Sequence, residues 1–400
     1  MNYQIFIASA PGMEDITARE VTELGLARGG AARSIPGGVE FSGNLEAVYR
    51  ANLLLRTASR VLVRLSTFYA TDFSELRTKA SRLPWNRYLQ PGHRGCKQPI
   101  TVRATFHESR LYHSDAVIER VLGAIGDRLG APVTLDTATD EGADQPAQLV
   151  VVRLFRDRCT VSIDASGALL HRRGYRLATA KAPLRETLAA GLVLASGWGG
   201  RVPLLDPFCG AGTIPIEAAL WARNIAPGKA RNFAFMTWPD FAPDVWAATL
   251  ASAIAAEHPA APPILASDRD AGAIRAAEAN AVRAGVADDI AFTCQAVSAI
   301  APPPEPGWVI ANPPYGVRVS ENKDLRNLYA QFGNVLRAHC PGWHVTFLCS
   351  DLSLVRQTRL SVETSRVWTN GGLRVQVVQG VVGDKRGNSR YIDSLRVAYV

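Results

Sequence analysis

The hydrophobic grammar of the chain changes near residue 180. Ahead of that point, short runs alternate apolar with polar positions. Gln4-Ile5-Phe6-Ile7-Ala8 predicts a strand closed by Pro11-Gly12, and Ile16, Val21 and Leu24 recur at helical spacing across 14–24. A strand is expected around Val39-Glu40-Phe41, after Gly37-Gly38, then a helix over 45–55 and a strand over 60–67. Residues 100–106 and 149–155 predict further strands with a helix over 115–129 between them, and the acidic stretch 136–146 reads as a loop. Such a mixture implies one or two small α+β domains rather than a wound parallel sheet.

Beyond residue 180 the runs become continuously apolar, at 202–205, 264–266, 290–294, 308–311 and 344–349, each followed by a helical pattern. Strands buried on both faces give this signature, and the alternation predicts an open α/β sheet with ligands at its strand carboxyl ends. Residues 225–263, with Pro, Trp and Ala-rich pieces, read as an insertion whose Trp238 and Trp246 pack in a core. Pro302-Pro303-Pro304 marks a loop entering the next strand.

Composition narrows the class. A chain of 400 residues with 47% hydrophobic and 20% charged side chains is long enough for two or three domains, each with its own core. Its six scattered cysteines contain no C-x-x-C pair, which excludes a zinc ribbon and a dense disulfide scaffold and suits a reducing compartment. His93, His107 and His113 show no metal-ligand spacing, so no metal is expected. The first residues carry no basic segment ahead of an apolar run, and no apolar stretch reaches the ~18 residues of a membrane span. A soluble cytoplasmic chain is expected.

The charge of +8 is concentrated. Residues 167–190 hold Arg172, Arg173, Arg176, Lys181 and Arg185 against Glu186 alone, half of the surplus in 24 residues that also carry His171 and Tyr175. Cations beside aromatic rings suit the phosphates and bases of a nucleic acid, which makes Arg172, Arg173 and Arg176 candidate contacts; the alternative is a solvated linker whose charges only aid solubility.

Two runs carry chemistry. In Leu204-Leu205-Asp206-Pro207-Phe208-Cys209-Gly210-Ala211-Gly212-Thr213-Ile214-Pro215 an apolar strand meets a carboxylate, a glycine turn and then a helix from about Ile214, with Glu217 in its first turn. A dinucleotide fingerprint would need a third glycine where Pro215 stands, and a P-loop would need Gly-Lys-Ser/Thr. A carboxylate ahead of the glycines would repel a pyrophosphate but attract an ammonium, which suits the amino-acid end of S-adenosylmethionine. Ile264-Leu265-Ala266-Ser267-Asp268 then supplies, in Asp268, an acid for the ribose hydroxyls; Asp270 is disfavoured because it lies further into the next helix. Phe208, Cys209, Gly210, Ala211, Gly212 and Thr213 line the turn, with Cys209 a small packing side chain rather than a nucleophile, since no motif supplies a base.

The second run is Trp308-Val309-Ile310-Ala311-Asn312-Pro313-Pro314-Tyr315-Gly316. A buried strand ends in Asn312, and Pro313 and Pro314 force a rigid extended turn. The Asn312 side-chain oxygen and the Pro313 carbonyl can accept N–H bonds from an exocyclic amine, orienting its lone pair and stabilising the charge developing on nitrogen. Tyr315 offers a ring on which an extruded base can stack.

On these residues the second half resembles class I S-adenosylmethionine-dependent methyltransferases of the N-P-P-Y type, which methylate exocyclic amines of nucleobases. The first half, with Leu170-His171-Arg172-Arg173-Gly174-Tyr175-Arg176 and Ala182-Pro183-Leu184-Arg185-Glu186-Thr187-Leu188-Ala189-Ala190, resembles the THUMP-containing RNA guanine-N2 methyltransferases. The resemblance implies a Rossmann-like α/β sheet at the C-terminus preceded by an α+β ferredoxin-like and THUMP region. It implies a ferredoxin-like segment at 1–50, a THUMP RNA-binding domain at 51–166, a basic linker at 167–190 and a methyltransferase domain at 191–400. The family usually has an acid near the cofactor adenine, where this chain has Ala296; Gln295 or a backbone carbonyl is expected to replace it. N2-methylguanosine formation in structured RNA, 23S ribosomal RNA ahead of tRNA, is the expected activity. A DNA or protein amine methyltransferase, or a catalytically silent RNA-binding or ribosome-assembly protein, are the alternatives.

Overall fold

The computed structural model describes residues 2–90, 99–136, 147–176, 184–315 and 322–383. The chain divides into two compact units, and each borrows a segment from the other's half of the sequence. The first comprises Met1–Ser9, Thr17–Leu170 and Gly228–Ser252; the second comprises Ala10–Ile16, His171–Pro227 and Ala253–Val400.

The first unit is built on strands β1 (Tyr3–Ser9), β2 (Arg33–Ile35), β3 (Gly38–Gly43), β4 (Ala58–Tyr69), β5 (Pro99–His107), β6 (Thr134–Leu135), β7 (Gln148–Phe155) and β8 (Arg158–Asp164). They form one sheet in the order β2-β3-β1-β4-β8-β7-β5-β6, antiparallel except where β5 pairs with β7 and β6. Its helices are α1 (Glu14–Glu23), whose first turn falls in the second unit, α2 (Leu45–Leu54), α3 (Phe73–Ser81) and α4 (Ser114–Leu129). Local chemistry sets their ends. Asn44 accepts from the Ala47 N–H and Asp72 from the Glu75 N–H, while Gly130 closes α4 in the left-handed region at φ 67°. Alternate strand residues such as Ile5, Ile7, Val61, Val150 and Val152 fill the core.

The second unit contains α5 (Glu186–Ser196), β9 (Leu204–Asp206), α6 (Thr213–Ala222), the end of α7 (Pro243–Ala255), β10 (Ile264–Asp268), α8 (Ala271–Ala284), β11 (Ile290–Cys294) and β12 (Trp308–Ala311). It continues with α9 (Asn322–His339), β13 (His344–Cys349), α10 (Leu352–Gln357), β14 (Val362–Asn370) and β15 (Leu373–Val381). The sheet order is β11-β10-β9-β12-β13-β15-β14. The five strands from β11 to β13 are parallel, and β15 and β14 add an antiparallel edge. Both faces are covered: Leu204 and Ile310 enter one core, whereas Leu205, Val309 and Ala311 enter another. That is why β9, β12 and β13 read as unbroken apolar runs, whereas the edge strand β11 is buried only at Ile290.

The stretch 225–263 is not simply an insertion in the parallel sheet. Its Gly228–Ser252 portion belongs to the first unit, where Phe233, Phe235 and Trp238 are buried. Phe235 stacks on Tyr49 with centroids 4.4 Å apart, and the Trp238 indole donates to Gln148 at 2.9 Å. In return, Met13 and Ile16 join the core of the second unit with Trp368. Gly12 makes that approach possible: its φ is +88°, and a Cβ there would lie 2.1 Å from the Val367 carbonyl oxygen. The uninterrupted span 191–400 therefore omits one exchange and includes another.

Candidate active site

Three strand ends of the second unit line up. Register pairs Leu205 with both Leu265 and Val309, so β9, β10 and β12 carry Asp206, Asp268 and Asn312 to the carboxyl edge of three adjacent parallel strands. Asp206 is completely buried. Its Oδ1 accepts from the Phe208 N–H at 3.1 Å, while Oδ2 has no hydrogen-bond partner among the described residues. Burial and then the Asp268 charge push its carboxyl well above the usual range, only partly opposed by the Phe208 bond. Asn312 repeats the pattern, because its Oδ1 is also buried without a partner among the described residues. A buried acceptor without a donor is costly, so two at neighbouring strand ends mark a place built for incoming donors.

Asp268 is fixed by the backbone around it. Its Oδ2 accepts from the Gly210 N–H and its Oδ1 from the Asp270 N–H, both at 3.0 Å. Each oxygen keeps a lone pair for a ribose hydroxyl. Asp270 is spoken for as the N-cap of α8, accepting from Gly272 and Ala273. Gln295, half-buried after β11, is tied to the same place by its N–H bond to the Asp268 carbonyl at 2.9 Å, and Ala296 beside it is exposed.

The two glycines differ in purpose. Gly210, at φ +51°, would direct a Cβ into open space, leaving room for a ligand beside the backbone. At Gly212, φ +83°, a Cβ would come within 2.9 Å of the Ala277 Cβ, so this glycine serves close packing against α8. Thr213 opens α6 one residue earlier than expected, which puts Glu217 in the second turn. Cys209 is buried, with its thiol pushed up by burial and by Asp206 and Asp268, consistent with packing rather than attack. Phe208 rests edge-on against Phe332 at 5.2 Å.

The diproline turn follows Asn312, with Pro313 buried and Pro314 half-buried. The Tyr315 hydroxyl accepts from Asn370 Nδ2 at 3.1 Å, which holds its ring from the end of β14. Asn370 has no signature in the sequence, because its role depends on a strand pairing 55 positions away from Tyr315.

The arginines of the linker answer differently from their expectation. Arg173 is buried with Glu217 at 3.5 Å, and the Arg176 guanidinium pairs with Glu186 at 2.9 Å and donates to the Leu184 carbonyl. Tyr175 is buried too, its hydroxyl donating to Glu217 at 3.0 Å. RNA contact by Arg173 and Arg176 therefore does not fit; two buried carboxylates fold them inward. Arg172 is half-buried, and Lys181 lies outside the described residues. The His171 imidazole is pushed down to about 3 by burial and the surrounding arginines, so it is neutral at pH 7.

This buried linker reaches the cofactor turn. Arg283 donates to the Tyr175 carbonyl at 2.6 Å and to Asn280, whose Nδ2 donates to the Ala211 carbonyl at 2.9 Å. Asn280 escaped the motif search, although an asparagine on the Ile274, Ala277, Ala281 face of α8 is itself a signal. Among the described residues no cluster of His, Cys, Asp or Glu could hold a metal, and no helix is long and apolar enough to cross a membrane.

An open α/β sheet with an orphaned buried acid before a glycine turn, a second acid on the next strand, and an asparagine–diproline turn across from them defines a class I S-adenosylmethionine-dependent methyltransferase. The profile of the RMKL-like methyltransferase domain family matches residues 173–376, and the chain belongs to that family. The RlmL ferredoxin-like domain matches residues 4–62 and the THUMP domain residues 70–164. A Synechocystis protein whose name marks it as a candidate RNA methyltransferase, slr0064, is 34% identical over 92% of this chain and 94% of its own length. The ribosomal RNA large subunit methyltransferase K/L of Desulfotalea psychrophila is 32% identical over 97% of this chain, which spans 54% of that relative. The crystal structure of SMU.472, described as a candidate methyltransferase complexed with SAH, superposes with a TM-score of 0.85 at 27% identity, covering 96% of this chain and 99% of that one.

Proposed function

We propose that the protein methylates the exocyclic N2 of guanine in structured RNA, with large-subunit ribosomal RNA the favoured substrate over tRNA. The observation that carries this reading is the pair of buried acceptors that lack a partner among the described residues, Asp206 Oδ2 and Asn312 Oδ1, at adjacent strand ends. S-adenosylmethionine fits the first of them: its ammonium would satisfy Asp206, and its ribose hydroxyls the free lone pairs of Asp268. Once bound, it supplies an electrophilic methyl on a sulfonium.

The chain's own residues do the rest. Gly210, open at its Cβ position, lets the backbone approach the cofactor, and Gln295 stands in for the missing acid near the adenine. Asn312 Oδ1 and the Pro313 carbonyl accept the amine's N–H bonds, aiming its lone pair at the methyl carbon. Both oxygens would stabilise the positive charge that develops on nitrogen as it takes up a methyl group, and the surplus proton would leave to water. Tyr315, held by Asn370, is the stacking surface for the base, and Pro314 keeps the turn rigid. Residues 1–50 and 51–166 are assigned to RNA capture. The K/L name of relatives that this chain half spans supports ribosomal RNA.

The test is methyl transfer from labelled S-adenosylmethionine into deproteinised ribosomal RNA, tRNA and DNA, followed by nucleoside mass spectrometry. N2-methylguanosine in ribosomal RNA is the expected product. Label in DNA alone, or on another guanine atom, overturns the reading.

A further inference from the structure

The glycine turn of the second unit carries a carbonyl that the following helix does not take up. The first bond of the α6 ladder runs from the Ile216 N–H to the Gly212 carbonyl at 3.0 Å. The Ala211 carbonyl lies one residue ahead of that ladder, and Pro215, four residues on, has no N–H with which to extend it. Ala211 is buried between Gly210 at φ +51° and Gly212 at φ +83°. The peptide carrying its oxygen therefore adjoins a residue with no Cβ to limit rotation. The start of the turn is tied to β10 instead, where Cys209 donates to the Ser267 carbonyl and Gly210 to Asp268 Oδ2, both at 3.0 Å.

The missing donor comes from α8. Asn280 is completely buried, and its Nδ2 gives the Ala211 oxygen a bond of 2.9 Å. An asparagine inside a helix is a poor helix former and costly to bury, so both ends of its amide need partners. Its Oδ1 accepts from Arg283, three residues on, whose Nε donates to the Tyr175 carbonyl at 2.6 Å. Tyr175 is fixed in turn by its hydroxyl, which donates to Glu217 of α6 at 3.0 Å. These contacts close a ring. It runs from the turn through α8 to the linker backbone, and returns through the Tyr175 side chain to the helix that the turn begins. Ala277, three residues before Asn280, sits against Gly212, so α8 and the turn are also in direct contact.

We propose that Asn280 and Arg283 are positioning residues for the methyl donor. Asn280 fixes the Ala211–Gly212 peptide, and Arg283 fastens Asn280 to the linker backbone at Tyr175, so donor affinity depends on the fold of the linker. Neither side chain needs to touch the donor. The inference rests on placing the donor at the turn between Asp206 and Asp268, and it adds two residues that lie outside both motifs.

The experiment uses the full chain, with S-adenosylhomocysteine as the probe in isothermal titration calorimetry. Asn280→Ala should raise its dissociation constant about tenfold and Arg283→Ala about threefold. Arg283→Lys keeps a donor for the Tyr175 carbonyl and should stay within about twofold of wild type. The two residues act in series, so the double alanine variant should bind no worse than Asn280→Ala alone, whereas independent structural contributions would multiply. In hydrogen–deuterium exchange the probe should slow exchange at 172–176 in the wild type but not in Arg283→Ala. Arg283 is exposed, so its variants should fold, and where Asn280→Ala does not, Arg283→Ala set against Arg283→Lys decides. Unchanged affinity in the folded alanine variants, or multiplied effects in the double, overturns the relay. Asp268→Ala is the control. Weaker binding there beside unchanged binding in Arg283→Ala discards the relay and keeps the donor site; unchanged binding in both discards the two together.

Discussion

The two sheets of this protein present polar chemistry in opposite ways. In the second unit the central strands are packed on both faces, so polar side chains gather at the carboxyl edge, where Asp206, Asp268 and Asn312 emerge from strands held by hydrophobic cores on either side. In the first unit one face is packed, and on the other the described ends of β4, β8, β7 and β5 expose Tyr69, Arg158, Phe155 and His107. An edge site holds a few atoms at defined positions, which suits bond-making. Buried parallel strands and a half-exposed antiparallel sheet make these two solutions natural ones.

The comparison can be broken most decisively at Asn312. Asn312→Ala should reduce turnover at least ~100-fold, since it removes an acceptor aimed at developing charge, while leaving cofactor affinity within about twofold. Stopped-flow or quench-flow rates beside calorimetric binding would read both; a large loss of cofactor affinity would place the residue in the other half of the site.

Arg173 separates structural from nucleic-acid roles. Arg173→Ala leaves Glu217 buried without its cation and should lower stability by about 3 kcal/mol in urea titration. The salt dependence of RNA binding should not move; a reduced slope with unchanged stability would return this arginine to the RNA interface.

Asp268→Ala should raise the cofactor dissociation constant about tenfold, the loss of one charge-assisted hydrogen bond of ~1.5 kcal/mol. The smallest effect sought is a pH dependence. Burial and Asp268 hold the Asp206 carboxyl high in the free protein, and a cationic amine favours its ionised form. Cofactor affinity should therefore rise with pH through that raised pKa, as the carboxyl gives up its proton. Asp206→Asn should bind more weakly at high pH and show a flat profile; a profile unchanged by this substitution would remove Asp206 as the ammonium partner.

Much of the edge site was legible because its residues are consecutive in sequence. A carboxylate, a glycine turn and a helix start, or an asparagine followed by two prolines, declare their local geometry whatever surrounds them. The parallel strands 308–311 and 344–349 were equally plain, because burial on both faces leaves an uninterrupted apolar run. Strands β14 and β15 were not anticipated: β14 is a largely exposed edge, and β15, although its Val375, Val377 and Val378 are buried, interleaves them with polar residues and has no unbroken apolar run. The basic linker misled for a related reason: charge is visible in a sequence, but the buried partners Glu217 and Glu186 that claim it are not.

By itself the sequence determined the class of chemistry, through residue types whose function follows from a few neighbouring backbone angles. Tertiary structure alone decided what depends on contacts between distant positions. Those contacts include the Asn370 bond to Tyr315, the Asn280 brace on the glycine turn and the aromatic segment Gly228–Ser252 in the core of the first unit. The alignment of Tyr69, Arg158, Phe155 and His107 belongs with them, set by strand register across almost ninety residues of chain. A hydrogen bond or a stacked ring is a property of distance, and only the folded packing of the two sheets sets those distances.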